Sequence, residues 1–174
     1  NTGWMNGDIK LATLSDTDDT NVTGSELVTN GTFDSNITGW SGYTGIVADS
    51  GRITHDTGGD GGRIKLTNDT SGTSNARASQ GFTTTIGKRY IATADLVAGT
   101  STAMYLIKSN NANLSSGTVA STSSNETLKL EFEATTTTTY IGVANVNSTS
   151  GHTMFADNIS VRLAEEDRSV NGNG

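Results

Sequence analysis

The chain has 174 residues, a net charge of −7 and a sequence pI near 4.6, and only 32% of its residues are hydrophobic. Its 11 Lys and Arg residues are thinly spread, which argues against nucleic acid as a partner because that affinity comes from neutralised phosphates. The sequence has no Cys, so disulfides and thiolate chemistry are excluded, and no apolar run approaches the roughly 20 residues that insert into a membrane.

Residues 1–25 are predicted to be a lead-in to the main domain. The stretch "DIKLATL" is typical of one strand, and the acidic "SDTDDTNVTGS" that follows is typical of a linker. Asp16, Asp18 and Asn21 resemble the start of an EF-hand loop. The required Gly at the sixth position and Glu at the twelfth are missing, so a solvated linker is the favoured interpretation.

Residues 26–163 show the alternation of a β domain. In "ETLKLEFEAT", Leu128, Leu130 and Phe132 alternate with charged residues, as in a strand with one buried face. The segment "NARASQGFTTTIGKRYIATADLVAG" predicts a strand that ends near Phe82, a turn at residues 86–88 and a second strand. Roughly nine or ten strands are expected in all, enough for two sheets. Residues 164–174 are predicted to be an exit linker.

The stretch "ELVTNGTFDSNITGW" combines the turn signal Asn30-Gly31 with aromatic residues and one acid. Asp34 has two interpretations, a turn cap of the Asx type or a metal ligand, and Trp40 is either a core residue or a sugar-stacking surface. Four phenylalanines are predicted to lie in the core: Phe33, Phe82, Phe132 and Phe155.

Three segments together resemble the carbohydrate-binding modules of the galactose-binding-like jelly-roll type. They are "LVTNGTFDSNITGW", "QGFTTTIGKRYIATADL" and "HTMFADNISVRL". The resemblance implies an all-β, two-sheet antiparallel β-sandwich (jelly roll) over residues 26–163. It also implies that Asp34 and Asp157 converge on one structural calcium ion, with backbone carbonyls completing the ligand shell. The family's usual Glu is replaced here by the shorter Asp34.

Sugar binding requires aromatic faces for stacking and polar groups for the hydroxyls. The sequence candidates for stacking are Tyr43, Tyr105 and Tyr140. Their expected polar partners are Arg77, Asn110 and Asn111.

Catalysis is not expected of this chain. There are 2 histidines, His55 and His152, and no G-x-S-x-G elbow surrounds a serine. Glu131 and Glu133 are predicted to point outward on one strand into water, whereas glycoside cleavage needs one carboxyl group with a raised pKa.

The sequences of the segments before and after the domain resemble module junctions in bacteriophage tail, fibre or capsid-decorating proteins. We therefore predict a non-catalytic adhesion or structural module on a virion surface or in an extracellular location. Its expected partners are a polysaccharide or cell-surface glycan, other virion subunits and further copies of the chain. The alternatives are a carbohydrate-binding module of a secreted bacterial glycoside hydrolase, or an assembly or decoration domain that binds no sugar.

Overall fold

A computed structural model describes residues 22–42, 52–59, 61–68, 75–147 and 149–164. The predicted "DIKLATL" strand, the EF-hand-like stretch and Tyr43 lie outside these residues. The described residues form strands with the following bounds: β1 Val22–Thr23, β2 Ser41–Gly42, β3 Ile53–Asp56, β4 Arg63–Thr67, β5 Ala76–Thr83, β6 Arg89–Ala98, β7 Met104–Ser109, β8 Gly117–Thr122, β9 Glu126–Glu133, β10 Thr138–Asn145 and β11 Thr153–Ala164.

The strands form two antiparallel sheets. Sheet A has the order β3-β4-β11-β6-β9, with the short β1 also paired to β11, and sheet B has the order β2-β5-β10-β7-β8. Strands that are neighbours in space are often distant in sequence, as β11 is from both β4 and β6. This arrangement confirms the predicted two-sheet antiparallel β-sandwich.

The core lies between the two sheets and follows the period of two along each strand. In β9, Leu128, Leu130 and Phe132 are buried while the residues between them are exposed, as predicted. In sheet B, the central strand β10 contributes Ile141 and Val143, which have no exposed surface. Burial of this apolar surface is the main favourable contribution to folding, at roughly 25 cal/mol per Å².

The segment from Gly24 to Gly42 connects the two sheets along the side of β11. The carboxylate of Glu26 accepts hydrogen bonds from the backbone N–H groups of Leu27, Val28 and Val161. The Leu27 N–H donates to the Val161 carbonyl at 3.0 Å. Ahead of residue 26, β1 is paired with β11, so the described part of the lead-in already contacts the last strand.

The prediction that all four phenylalanines lie in the core is wrong for Phe155. Phe33, Phe82 and Phe132 are buried between the sheets. Phe155 is opposite Lys65 and Val97 on the outer face of sheet A, and the guanidinium carbon of Arg63 lies 3.6 Å from its ring centroid. The cation covers one face of the ring, which explains why an outward aromatic is only half-exposed.

Across the residues that the structure describes, no helix is both long and apolar enough to span a membrane.

Candidate functional site

The first candidate site begins with the turn that follows Leu27 and Val28. Asn30 and Phe33 both have a positive φ, 52° and 50°, and these left-handed residues fold the segment tightly against β11. The Gly31 carbonyl accepts a hydrogen bond from the Ile159 N–H at 2.9 Å. Phe33 is fully buried and packs against Trp40 with 5.4 Å between ring centroids. Both aromatics therefore anchor the turn, and Trp40 is a core residue.

The β11 strand is irregular where this turn meets it. Asp157 is opposite Asp95 of β6, but the next pair is Ser160 with Thr93, so the register shifts between them. Asn158 has a φ of 49°, donates its N–H to Asp157 Oδ1 at 2.7 Å and donates Nδ2 to Asp95 Oδ2 at 2.8 Å. A β-bulge of this kind redirects side chains locally, and here Asp157 and Asp95 are left on the outer face of sheet A.

The surroundings of the bulge disfavour the ionised form of Asp157. Burial raises the pKa of Asp157, and the neighbouring carboxylates Asp95 and Asp34 raise it further, whereas the Asn158 N–H and Arg63 lower it. The predicted pair, Asp34 and Asp157, is therefore close enough for mutual repulsion. A cation placed between the carboxylates would remove that repulsion.

The side chains alone do not complete a metal site. Among the described residues, no group of three or more His, Cys, Asp or Glu side chains could hold a metal ion. Calcium takes six to eight oxygens, so Asp34 and Asp157 would need backbone carbonyls or water as further ligands. The Phe33 carbonyl already accepts a contact from His55 Nε2 at 2.7 Å. Two carboxylates would balance the charge of a dication. They reach the number of oxygen ligands that calcium takes only if backbone oxygens are included.

The second candidate site is the outer face of sheet B, on the side away from the core. Three of the predicted ligand-binding residues lie on this face, since each alternates with a core residue: Arg77 on β5, Tyr105 on β7 and Tyr140 on β10. Tyr105 is opposite Ala144, and Arg77 is opposite the same alanine from the other side. The fold therefore brings together residues that are 63 positions apart in sequence, from Arg77 to Tyr140.

Residues 110–116, which we call the strap, fold back over this face. The strap leaves β7 at Ser109, crosses β10 and reaches β5 before it returns to β8. Ser79 Oγ donates to the Ala112 carbonyl at 2.8 Å, and Arg77 Nη1 donates to the carbonyls of Asn113 and Leu114, both at 3.0 Å. Arg77 therefore holds the strap, a role that sequence reasoning did not foresee.

Leu114 is inserted from the strap into the sheet face. It is 4% exposed and forms a small apolar cluster with Ile107 and Ala144, with Tyr105 and Tyr140 packed against the edges. Its φ of 51° is unusual for a bulky residue. A Cβ at Gly142 would overlap Leu114 Cδ1, so the absence of a side chain at that position makes room for the insertion.

Tyr105 and Tyr140, the two predicted stacking residues that the structure describes, lie on opposite sides of Leu114. Tyr140 and Tyr105 are offset by four residues along β10, because Tyr105 is opposite Ala144, and four residues of strand span about 13 Å. The ring of Tyr140 leans over Gly81 of the adjacent strand β5. A Cβ at Gly81 would stand 2.8 Å from Tyr140 Cε1 and 3.2 Å from both Cδ1 and Cζ, so the ring lies against the backbone of the sheet.

The two predicted asparagines belong to the strap. Asn110 Oδ1 accepts a hydrogen bond from Lys108 Nζ at 2.9 Å, and Asn110 Nδ2 donates to Thr135. Asn111 Oδ1 accepts from the N–H and hydroxyl of Ser115, both at 3.3 Å. Sequence reasoning missed Ser79, Gly81 and Leu114. Leu114 lies in a Ser- and Asn-rich loop that carries no period from which its contacts could be read, and Ser79 and Gly81 lie on β5, where their role depends on contacts with the strap and with Tyr140.

No protein-family model matches this chain, and no curated protein matches it either. Solved structures do match. One is a family 61 carbohydrate-binding module in complex with β-1,4-galactotriose, at a TM-score of 0.59 and 12% identity over 80% of this chain and 99% of that one. Another is the CBM22 xylan-binding domain from Paenibacillus barcinonensis, at a TM-score of 0.54 and 11% identity over 83% and 98%.

A third similar structure is the enzymatically active domain of tailspike protein 4 from bacteriophage CBA120. It has a TM-score of 0.55 and 17% identity, and the match covers 79% of this chain but only 21% of that one. Identities this low establish the fold alone, which is the jelly-roll β-sandwich of these modules.

Proposed function

We propose that this chain is a non-catalytic glycan-binding module whose ligand lies on the outer face of sheet B. The observation that carries the proposal is the placement of Tyr105 and Tyr140 on that face, away from the core, as half-buried rings. A ring that lies against a sheet offers its other face to solvent, and sugar sites combine such aromatic surfaces with a few polar groups. The described ligands of the similar modules, a galactotriose and xylan, support the same class of partner.

The proposal is tested by titrating the full chain with β-1,4-galactan and xylan oligosaccharides in a calorimeter. We expect saturable binding by the wild type and a loss of about tenfold or more when Tyr105 and Tyr140 are both replaced by Ala. Glu131→Gln on the edge strand β9 serves as the matched control, since Glu131 is paired at the surface with Arg89 and Lys129. Failure of the wild type to bind any glycan would favour the alternative, an assembly or decoration domain without sugar binding.

We infer a role without catalysis from the groups that the described residues offer. The carboxylate of Glu131 is paired with cations on the exposed face of β9, and His55 Nε2 lies within hydrogen-bond distance of the Phe33 carbonyl. Neither is placed for general acid or base work, which requires a group within reach of the substrate. Turnover of a polysaccharide by the purified chain that is lost in His55→Ala or Glu131→Gln would contradict this inference.

We propose a virion surface as the biological setting, with other virion subunits or further copies of the chain as partners. The match to part of a bacteriophage tailspike supports this setting. The module of a secreted bacterial glycoside hydrolase is the second candidate, and the matches to carbohydrate-binding modules along almost their full length favour it. Extending the sequence on both sides in the source genome distinguishes the two, because neighbouring genes for virion subunits would support the virion role, whereas a secretion signal and a glycoside hydrolase domain in a bacterial gene would support the second candidate.

We also propose a structural calcium ion held by Asp34 and Asp157. The ion would neutralise the carboxylates at the junction of the 29–34 turn and the bulge in β11. The convergence of these charges in the folded chain supports the proposal, and the ion would contribute stability rather than contact the sugar.

A further inference from the structure

The strap divides the outer face of sheet B, and this division limits where on the face a glycan can bind. Several residues of this outer face are buried although they point away from the core. They are Ser79, Ile107, Ser109 and Ala144, with exposures of 4%, 5%, 0% and 0%. The strap is the segment that covers them, so the middle of the face is closed to a ligand.

The hydrogen bonds show that the strap is held in place. Besides the contacts from Ser79 and Arg77, Ser109 Oγ donates to the Ser116 carbonyl at 2.6 Å and accepts from the Asn111 N–H at 3.2 Å. Both ends of the strap are thus hydrogen-bonded to Ser109 at the end of β7, while its middle is hydrogen-bonded to β5. Displacing it would expose these polar groups and the apolar surface of Leu114 together, which costs free energy.

Tyr140 lies in the corner that the strap creates. Directly opposite Tyr140 on β7 is Ser109, the residue to which both ends of the strap are hydrogen-bonded. The adjacent outward pair, Ser79 and Gly142, carries the body of the strap. A sugar stacked on Tyr140 therefore meets the strap on one flank and at the β7 end.

The other two directions from Tyr140 are open among the described residues. Gly81, Thr83 and Thr138 are exposed, and beyond β5 the sheet ends at the short edge strand β2. From β2 to β10 the width is two strand spacings, or about 10 Å. A long polysaccharide cannot continue across β7 and β8 at this level, whereas a chain that enters from the β2 side can end against the strap.

We propose that the corner at Tyr140 binds the end of a glycan chain, or a short branch. The strap forms a wall beside this corner, and the wall prevents the glycan chain from continuing past Tyr140. Tyr105 lies beyond the wall and does not contact the same sugar. Arg77 and Gly142 are positioning residues, since they hold the strap and not the ligand. The inference rests on the proposed function and adds to it the class of ligand, chain ends as opposed to chain interiors.

The first experiment varies the number of chain ends while the linkage stays the same. Insoluble β-1,4-galactan or xylan is compared with the same mass of polymer after partial cleavage by an unrelated hydrolase, and bound protein is measured by depletion. We expect binding capacity to rise in proportion to the new reducing and non-reducing ends. A capacity that does not change on cleavage overturns the chain-end inference but leaves the proposed function standing.

The second experiment assigns the corner. We expect Tyr140→Ala to lower affinity for short galactan or xylan oligosaccharides about tenfold or more, and Tyr105→Ala to change it less than about twofold. Gly81→Ala, which pushes the Tyr140 ring off the sheet, should weaken binding as well. Gly87→Asn is its control, because no atom lies within 4 Å of that position and Asn tolerates its left-handed φ of 80°. A dependence on Tyr105 instead of Tyr140 overturns the inference and retains the proposed function, and the absence of any binding overturns both.

The third experiment opens the wall. Arg77→Gln removes the two bonds to the strap carbonyls, and we expect this variant to bind uncleaved polymer better relative to oligosaccharides than the wild type does. Circular dichroism and thermal melting verify that the variant is folded. An unchanged ratio in a variant whose strap amides exchange faster with solvent deuterium would show that the strap is not the wall and would overturn the proposal.

Discussion

Gly31 and Ile159 lie so close together that a side chain at Gly31 cannot be accommodated. A Cβ there would overlap the carbonyl oxygen of Ile159, and the Gly31 carbonyl accepts the Ile159 N–H at 2.9 Å. The Asn30-Gly31 pair, which predicts a turn in the sequence, is thus also one of the points where the first long segment is bonded to the last strand.

We expect Gly31→Ala to destabilise the fold by about 1–3 kcal/mol, because the overlapping atom belongs to the backbone and cannot rotate away. Urea titration followed by fluorescence measures the loss. Gly87→Asn is the matched control, since Gly87 has a φ of 80° in open space and Asn tolerates the left-handed region. A change of less than about 0.5 kcal/mol in Gly31→Ala, the size of an ordinary surface substitution, would contradict the close approach.

The side chain of Glu26 also bonds the first long segment to the last strand, β11. Glu26→Ala removes the acceptor for the N–H groups of Leu27, Val28 and Val161, and we expect it to cost about 1–2 kcal/mol, at the low end for charged acceptors because the residue is exposed. Glu26→Gln keeps one carbonyl oxygen at that position and should remain near the wild type. Equal losses in both variants would mean that the charge, and not the hydrogen-bonding geometry, is what matters.

The proposed calcium ion predicts a melting temperature that depends on calcium. We expect the wild type to gain about 2.7 kcal/mol at a hundredfold excess over Kd and to lose the gain on addition of a chelator. Asp34→Asn and Asp157→Asn should abolish the response, and Glu131→Gln should keep it. Without calcium, Asp157→Asn should be no less stable than the wild type, because the substitution removes a repulsive charge and keeps the Asn158 contact. A wild type that melts identically in calcium and chelator would return both aspartates to the role of turn and bulge residues.

Asp56 gives an expectation for the pH dependence of stability. The hydrogen bond from Arg63 Nε, at 2.8 Å, holds the pKa of Asp56 below its ordinary value of 3.8, against the opposing effect of burial. The unfolded chain then takes up its proton at higher pH than the folded chain, so this stabilisation is present above 3.8 and is lost as the pH falls through the lower folded value.

The measurement compares the free energies of unfolding of the wild type and Asp56→Asn. Well above pH 3.8 we expect the substitution to cost up to about 1 kcal/mol, as for a partly exposed ion pair, and well below that pH the difference should vanish. A cost that is independent of pH would mean that Asp56 acts through its hydrogen bonds to Gly58 and Arg63 alone and not through its charge.

The sequence by itself determined which side of most strands faces the core. Alternation in β9 placed Leu128, Leu130 and Phe132 inward, where the structure has them. This inference succeeds because the direction of a side chain in a strand depends only on its parity, which is a local property. The acid positions Asp34 and Asp157 came from motif resemblance, and their shared calcium ion stays a prediction.

Only the tertiary structure decided what each face touches. The shift at Asp157 reverses parity within β11, so no single alternation describes that strand from end to end. Phe155 looked like a core residue because hydrophobicity does not reveal which of two faces is covered, and its partner Arg63 is 92 residues away. The strap has no period of its own, and its position follows from contacts between Leu114, Arg77 and Gly142 that exist only once three strands lie side by side. Local periodicity therefore set the strands, whereas long-range contacts set the shape of the surface that meets a ligand.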